Sequence, residues 1–317
     1  MNISDSFLQE EIIEGFRVRA MMKRYWAAGL EILSQFDELC QANNIKYYVY
    51  YGTLLGALRH NGFIPWDDDI DIAMMRWDFD RLIEVMSDNQ DKFFNLINVD
   101  VSSMYPPRII NTYYTNMDDD FLTRYHYCPY PVGMDIYVFD KVPTDRDEAE
   151  VLKWLHQNAR FVAQRTDPRW QGGSQGYVNN ELIDSVITQI EQATGYVFTR
   201  DDTLPIQMTR FLNCISATYN DTESDNVARI HNWAITGDNE CIPTEWFGEG
   251  ERLTFEGMSV PVPKRYREVL AKTMGEDYMT PINRSFGHNY PVYRRYEEKL
   301  LEMYKKCGQE PPGFLFD

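Results

Sequence analysis

The run Pro65-Trp66-Asp67-Asp68-Asp69-Ile70-Asp71-Ile72 limits the fold of this chain more than any other segment. Four of the five residues from Asp67 to Asp71 are carboxylates, and like charges packed so closely are costly unless a cation offsets them. Strand alternation sorts the run. Asp69 and Asp71 fall on one face, while Ile70, Ile72 and Met74 fall on the other and enter a core, which predicts a half-buried strand over 69–74. Two carboxylates side by side on a rigid strand supply half of an oxygen-ligand site for Mg²⁺ or Mn²⁺. Asp135 repeats the pattern in Gly133-Met134-Asp135-Ile136-Tyr137-Val138, and it completes a carboxylate triad if the two strands are neighbours. An isolated D-x-D would be read as a polar sheet face; the third carboxylate and the apolar alternation argue otherwise. A calcium loop starting at Asp67 fails, because its sixth place requires glycine and holds Ile72.

Just upstream, Lys46–Tyr51 is aromatic and β-branched, a strand by composition, and Thr53 opens a short helix ending near Arg59. Gly52 lets the backbone approach a ligand closely, and Thr53 adds a hydroxyl to the free amides of a helix start, the usual means of holding phosphate. Arg59 is the nearest candidate cation for that phosphate. Further strands are expected at 94–99, 108–113 and 134–139, with the triplet Asp118-Asp119-Asp120 as a solvated loop between them. Residues 6–43 read as one long helix or a helix pair, because Met22, Trp26, Leu30, Leu33 and Phe36 recur at helical steps. Beyond Pro143 the chain turns mostly helical, with a loop at 171–176 and a hairpin around Glu256-Gly257. The resulting expectation is an α/β chain with an α+β mixed sheet, divided into a helical segment 1–43, a catalytic core 44–143 and a largely helical part 144–317.

Charge narrows the partners. Lysine and arginine total 31 against 49 acidic residues, a net charge of −18, so phosphate backbones and anionic membranes are repelled and no nucleic-acid partner is expected. The opening residues lack a basic start followed by an apolar run, and no stretch reaches the ~20 apolar residues of a transmembrane segment. Five scattered cysteines without a C-x-x-C read as reduced thiols, so a cytoplasmic location is expected.

The run from Gly52 through Arg59-His60-Asn61-Gly62-Phe63-Ile64-Pro65-Trp66 to Asp71 closely resembles the signature of the LicD family, which includes the fukutin-type ribitol-phosphate transferases. The resemblance continues at Met134-Asp135-Ile136 and thinly toward the C-terminus, at Glu245-Trp246-Phe247, Phe255-Glu256-Gly257 and Asp277-Tyr278-Met279-Thr280-Pro281. A Tyr-Gly-Asp-Tyr type run of the family is replaced by Met274-Gly275-Glu276-Asp277-Tyr278, and the zinc-binding cysteines of some animal relatives have no counterpart. The resemblance implies a nucleotidyltransferase-like fold and transfer of a phospho-substituent, commonly phosphocholine from CDP-choline, to a sugar hydroxyl of a glycan precursor such as lipopolysaccharide or teichoic acid. On that reading Asp69, Asp71 and Asp135 hold Mg²⁺ or Mn²⁺, and Asp135 is also the candidate base. Gly52, Thr53, Arg59, Trp66, Asp68 and His288 are the candidates for contact with substrate or phosphate. Choline would call for an aromatic cage, for which Tyr47, Tyr48, Tyr50, Tyr51, Tyr113, Tyr114 and Trp66 stand near enough in sequence. Nucleotidyl transfer, a D-x-D glycosyltransferase and a non-catalytic metal- or nucleotide-binding module are the competing readings.

Overall fold

A computed structural model describes residues 3–88, 94–98, 106–167, 180–281 and 290–316. The expected loop at 171–176 lies outside these. The described elements are β1 (Glu11–Ile13), β2 (Phe16–Val18), α1 (Ala20–Ala42), β3 (Tyr48–Val49), α2 (Tyr51–Arg59), β4 (Ile70–Met75), α3 (Arg76–Asp88), β5 (Asn95–Ile97) and β6 (Arg108–Ile110). They continue with α4 (Asp119–Arg124), β7 (Gly133–Lys141), α5 (Arg146–Thr166), α6 (Glu181–Thr194), α7 (Leu204–Ser216), β8 (Asn226–Ala228), α8 (Ile230–Thr236) and β9 (Ile242–Pro243). A hairpin of β10 (Arg252–Phe255) and β11 (Met258–Pro261) follows, then α9 (Tyr266–Met274) and α10 (Glu297–Cys307).

The first helix starts later than the apolar periodicity suggests. Glu14 and Gly15 both take positive φ, 51° and 78°, and close a two-residue turn between Ile13 and Phe16, so residues 11–18 form a hairpin and not a helix. From Ala20 onward the expected stripe appears, with Met22, Trp26, Leu30, Leu33, Phe36 and Cys40 all buried. The strand expected at 46–51 pairs only through Tyr48 and Val49; Tyr51, at φ 39°, already turns into α2. The acidic triplet is not a free loop either. Asp118 caps α4 by accepting the amides of Asp120 and Phe121 at 3.1 and 3.3 Å, while Asp119 and Asp120 occupy the positive end of that helix.

Seven strands make one mixed sheet, ordered β3-β4-β7-β6-β5 with β8 and β9 extending from β7. Only β4 and β7 run parallel; the other pairs are antiparallel. The strand expected to be half-buried is buried along its whole length, because β4 sits between β3 and β7 with helices packed against it. Its alternation therefore separates a polar interior row from an apolar one, and does not separate solvent from core.

Two apolar cores support this sheet. The larger joins α1, the sheet, the β10–β11 hairpin, α9 and α10; the smaller is built by α5, α6, α7 and α8. The segment after 144 is thus divided between them. Where they meet, the buried Arg76 guanidinium grips both oxygens of buried Asp140 at 2.7 and 2.9 Å, and Asn213 and Asn220 complete the network from α7 and the turn after it. Such a fork fixes orientation as well as charge.

Inside the smaller core, His156 is almost wholly buried, with Nε2 at 3.2 Å from Ser216 Oγ. Burial, helped by the nearby Arg160, pulls its pKa down to about 3, so the folded protein keeps it neutral. The unfolded chain takes up a proton below the ordinary value of ~6.5, so stability falls as the pH drops from ~6.5 toward 3, by up to ~1.4 kcal/mol per pH unit for this one group. Replacing it by His156→Gln is expected to flatten that slope in urea melts between pH 7.5 and 5; an unchanged slope would place the acid sensitivity elsewhere.

Candidate active site

Residues of α2 and the loop before β4 set the carboxylates in place. The Asp71 amide donates to Thr53 Oγ1 at 2.9 Å, and the Asp71 carbonyl accepts the Tyr50 amide at 2.9 Å, so both backbone groups are tied to the start of α2. Trp26 Nε1 donates to the Asp67 carbonyl at 3.0 Å and the Asp67 amide donates to the Ile64 carbonyl at 2.9 Å, fixing the loop from the other side. Any Cβ at Gly52 would run into the Asp67 carboxylate, so glycine here is a requirement of space.

Register then forms the site. In the parallel pair, Asp71 lies opposite Asp135; in the antiparallel pair β6–β7, Arg108 lies opposite Asp135. Directly opposite residues share a face, so Asp71, Asp135 and Arg108 form one row across three adjacent strands. Asp69 precedes Asp71 on the same face. Arg108 is ion-paired with Asp135, their side chains 26% and 20% exposed. Tyr137, two residues after Asp135, hydrogen-bonds Asp71. Arg229 lies over the rings of Tyr51 and Tyr137, 5.0 and 5.3 Å from their centroids, and is itself held by Glu240 at 2.9 Å.

The electrostatics are those of a crowded anion cluster. Burial, then the charges of Asp69, Asp135 and Asp67, push the Asp71 carboxyl well above the ordinary range. Asp67 is raised in the same direction by burial and by Asp69, with which it shares a hydrogen bond. Tyr137 is raised by burial and then by Asp71, Asp135 and Asp69. Asp71 Oδ1 is buried and has no hydrogen-bond partner among the described residues, and carboxylate oxygens of Asp67, Asp68 and Asp69 lie within 4.8 Å of one another. An orphaned buried oxygen among mutually repelling carboxylates fits a hard divalent cation, which takes oxygen ligands and supplies the missing charge. The residues present suit Mg²⁺ or Mn²⁺.

The candidates from sequence are placed unequally. Asp71 and Asp135 are register partners and the charges of Asp69 and Asp135 act on Asp71, with Gly52 and Thr53 alongside, but the carboxylates whose oxygens lie closest together are Asp67, Asp68 and Asp69. The Thr53 hydroxyl accepts the Asp71 amide, so it positions a carboxylate. Asp68 is 1% exposed and its Oδ2 accepts the Val292 amide at 2.6 Å, which anchors the C-terminal segment to the acidic loop. Arg59 sits at the opposite end of α2, ~10 Å along the axis from Gly52 at 1.5 Å per residue, and donates to the carbonyls of Tyr278 and Thr280. Trp66 packs on Phe16 and His60. His288 lies outside the described residues. Of the tyrosines considered for a cage, Tyr47, Tyr48 and Tyr50 are buried and Tyr113 and Tyr114 exposed, while the Tyr51 face is taken by Arg229.

Asp67 is the carboxylate that sequence reasoning passed over, although the alternation that pairs 69 with 71 extends to 67. Tyr137 was signalled in the same way, two residues beyond Asp135. Arg108 carried no comparable signal, because its value depends on the register of two strands distant in sequence.

Residues 44–169 match the family described as "LicD/FKTN/FKRP, nucleotidyltransferase domain". That region, which holds β3 to β7 and α5, is similar to a LicD-family domain. Over 251 residues it is 26% identical to the lipopolysaccharide cholinephosphotransferase LicD of Haemophilus influenzae, covering 79% of this chain and 88% of that protein. Shorter similarities, 44% over 71 residues and 30% over 118, link it to uncharacterized proteins of Rickettsia prowazekii and Rickettsia typhi, of which 27% and 38% are covered. None of the described helices is long and apolar enough to cross a membrane.

Removing one charge from the carboxylate cluster separates stability from metal binding. In EDTA-treated protein, Asp69→Asn relieves repulsion on its neighbours and is expected to add ~1 kcal/mol, or ~2 °C in melting temperature. Mg²⁺ or Mn²⁺ is expected to raise the melting temperature of the parent protein, and the same variant should lose that rise. A variant that melts lower in EDTA yet still responds to metal would contradict the assignment.

Proposed function

We propose that this chain transfers phosphocholine from CDP-choline to a hydroxyl of a cell-surface glycan precursor, with Mg²⁺ or Mn²⁺ held by Asp69, Asp71 and Asp135 and with Asp67 beside them. The observation that carries this reading is the register pair Asp71–Asp135, which puts carboxylates of two strands on one face next to Asp69. Similarity to a lipopolysaccharide cholinephosphotransferase supports the choice of transferred group and of acceptor.

The reaction balances without an external oxidant or reductant. The acceptor oxygen forms a bond to the phosphorus that bears choline, the bond from that phosphorus to the bridging oxygen breaks, CMP leaves, and the hydroxyl proton is released. When bound, the divalent cation supplies positive charge to the phosphate oxygens and to the leaving CMP. The protein's share is placement. Thr53 and Tyr50 lock the Asp71 backbone, the Tyr137 hydroxyl orients its carboxyl, and Arg108 orients Asp135. A loose phosphoryl-transfer transition state gains little from a strong base, which favours ligand over base for Asp135.

A donor panel decides the matter. CDP-choline, CDP-ribitol, CDP-glycerol, UDP-sugars and nucleoside triphosphates would each be offered with Mg²⁺, Mn²⁺ or EDTA, with melting temperature and products followed. Metal-dependent stabilisation by CDP-choline and release of CMP are expected. Asp135→Asn should lower turnover by at least ~100-fold while melting within ~2 °C of the parent protein. Pyrophosphate release from triphosphates would replace this reading by nucleotidyl transfer. No metal-dependent response to any donor would favour a binding module.

A further inference from the structure

The sequence offers Arg59 as the cation for a donor phosphate, and the fold commits that side chain to two carbonyls at the far end of α2. A metal site with at least three carboxylates still needs protein cations to attract a diphosphate. Asp69, Asp71 and Asp135 against one divalent ion leave a net charge of −1 in formal terms, which repels the donor. One arginine brings that sum to zero.

We propose that Arg108 is the residue that binds a phosphate of the nucleotide donor, reaching it from the end of the row Asp71–Asp135–Arg108. Three independent features place it there. Its position in β6 is fixed opposite Asp135 by strand register, and the Ile136 amide bound to the Pro107 carbonyl at 2.8 Å pins the strand beside it. Its side chain, unlike that of Asp68 or Thr53, keeps about a quarter of its surface open while paired with Asp135. A guanidinium has five N–H donors in a fixed fork, so one edge can hold a carboxylate while another meets phosphate oxygens. The neighbouring arginine on this face is disposed differently: Arg229 is 8% exposed, stacked on Tyr51 and Tyr137 and paired with Glu240.

The assignment adds charge but not headgroup specificity. Arg108 reads phosphate and not the alcohol, so it grips any diphosphate donor equally and leaves choice of headgroup to other parts of the site. It rests on the transferase reading only in naming the donor as a CDP-alcohol; the phosphate contact itself does not depend on choline.

Titration of the full chain with inorganic pyrophosphate and Mg²⁺ tests it directly, beside Mn²⁺ alone and CDP-choline. Arg108→Ala is expected to weaken pyrophosphate by ~10- to 100-fold, the usual cost of losing a charge-assisted contact. Arg108→Lys should recover only part of this, because the fork is lost. Mn²⁺ affinity should stay within ~3-fold in both variants, and in assays the donor KM should rise more than kcat falls. Unchanged pyrophosphate affinity in Arg108→Ala would overturn the proposal, as would failure of the parent protein to bind pyrophosphate. So would a loss of Mn²⁺ as large as that in Asp135→Ala, which would make Arg108 a support for the metal ligand only. A parent protein that binds pyrophosphate through Arg108 but neither binds nor turns over CDP-choline would leave this assignment standing and reject the choline donor.

Discussion

Repulsion among Asp67, Asp69, Asp71 and Asp135 is the constraint around which this protein is arranged. These groups stand where two parallel strands begin, beneath a helix start and a tightly held loop, in surroundings that strip away much of the water that would screen them. Nothing in the apolar packing asks for charge there. The sheet has to be rigid enough to hold the groups against each other, and the helix start, the Trp26 side chain and the Tyr137 hydroxyl all serve that end. A fold that relaxed the repulsion by moving strands apart would also disperse the oxygen ligands that a divalent cation requires.

Rigidity of this kind comes from contacts between distant parts of the chain. The hairpin of residues 11–18, α1 and the C-terminal segment close around the acidic loop, while the smaller helical core is linked to the sheet by the Arg76–Asp140 network and by the pairing of β8 with β7. A buried fork of this sort holds two packed bodies in a single relative orientation and contributes little net free energy for its burial. The family match, residues 44–169, takes in β3 to β7 and α5, whereas β8, β9 and the remaining helices of the smaller core lie beyond it.

Much of the sheet and the row of carboxylates was legible in the sequence, because period-two alternation is a local property and survives burial. Asp69, Asp71 and Asp135 could be placed on matching faces before their strands were known to touch. What alternation cannot report is which strand lies beside which. Arg108 became part of the site only through its register against Asp135, and Arg59, near the signature in sequence, proved to be the wrong end of a helix. The early hairpin was missed for a different reason: Glu14 and Gly15 reverse the chain with backbone angles that an apolar-stripe argument does not examine. Asp68 shows the limit of motif logic, since a carboxylate inside the signature is spent on the Val292 amide.

That last bond spans 224 positions of the chain. Contacts so remote in sequence form late and slowly, since a long loop must close before they can be made. During synthesis the acidic loop therefore remains incomplete until residue 292 has been added, long after α1, β4 and β7 have emerged and can pack. An acidic cluster encoded in the first half of the protein is in this way completed only when the second half arrives, and an interrupted chain cannot present it in finished form.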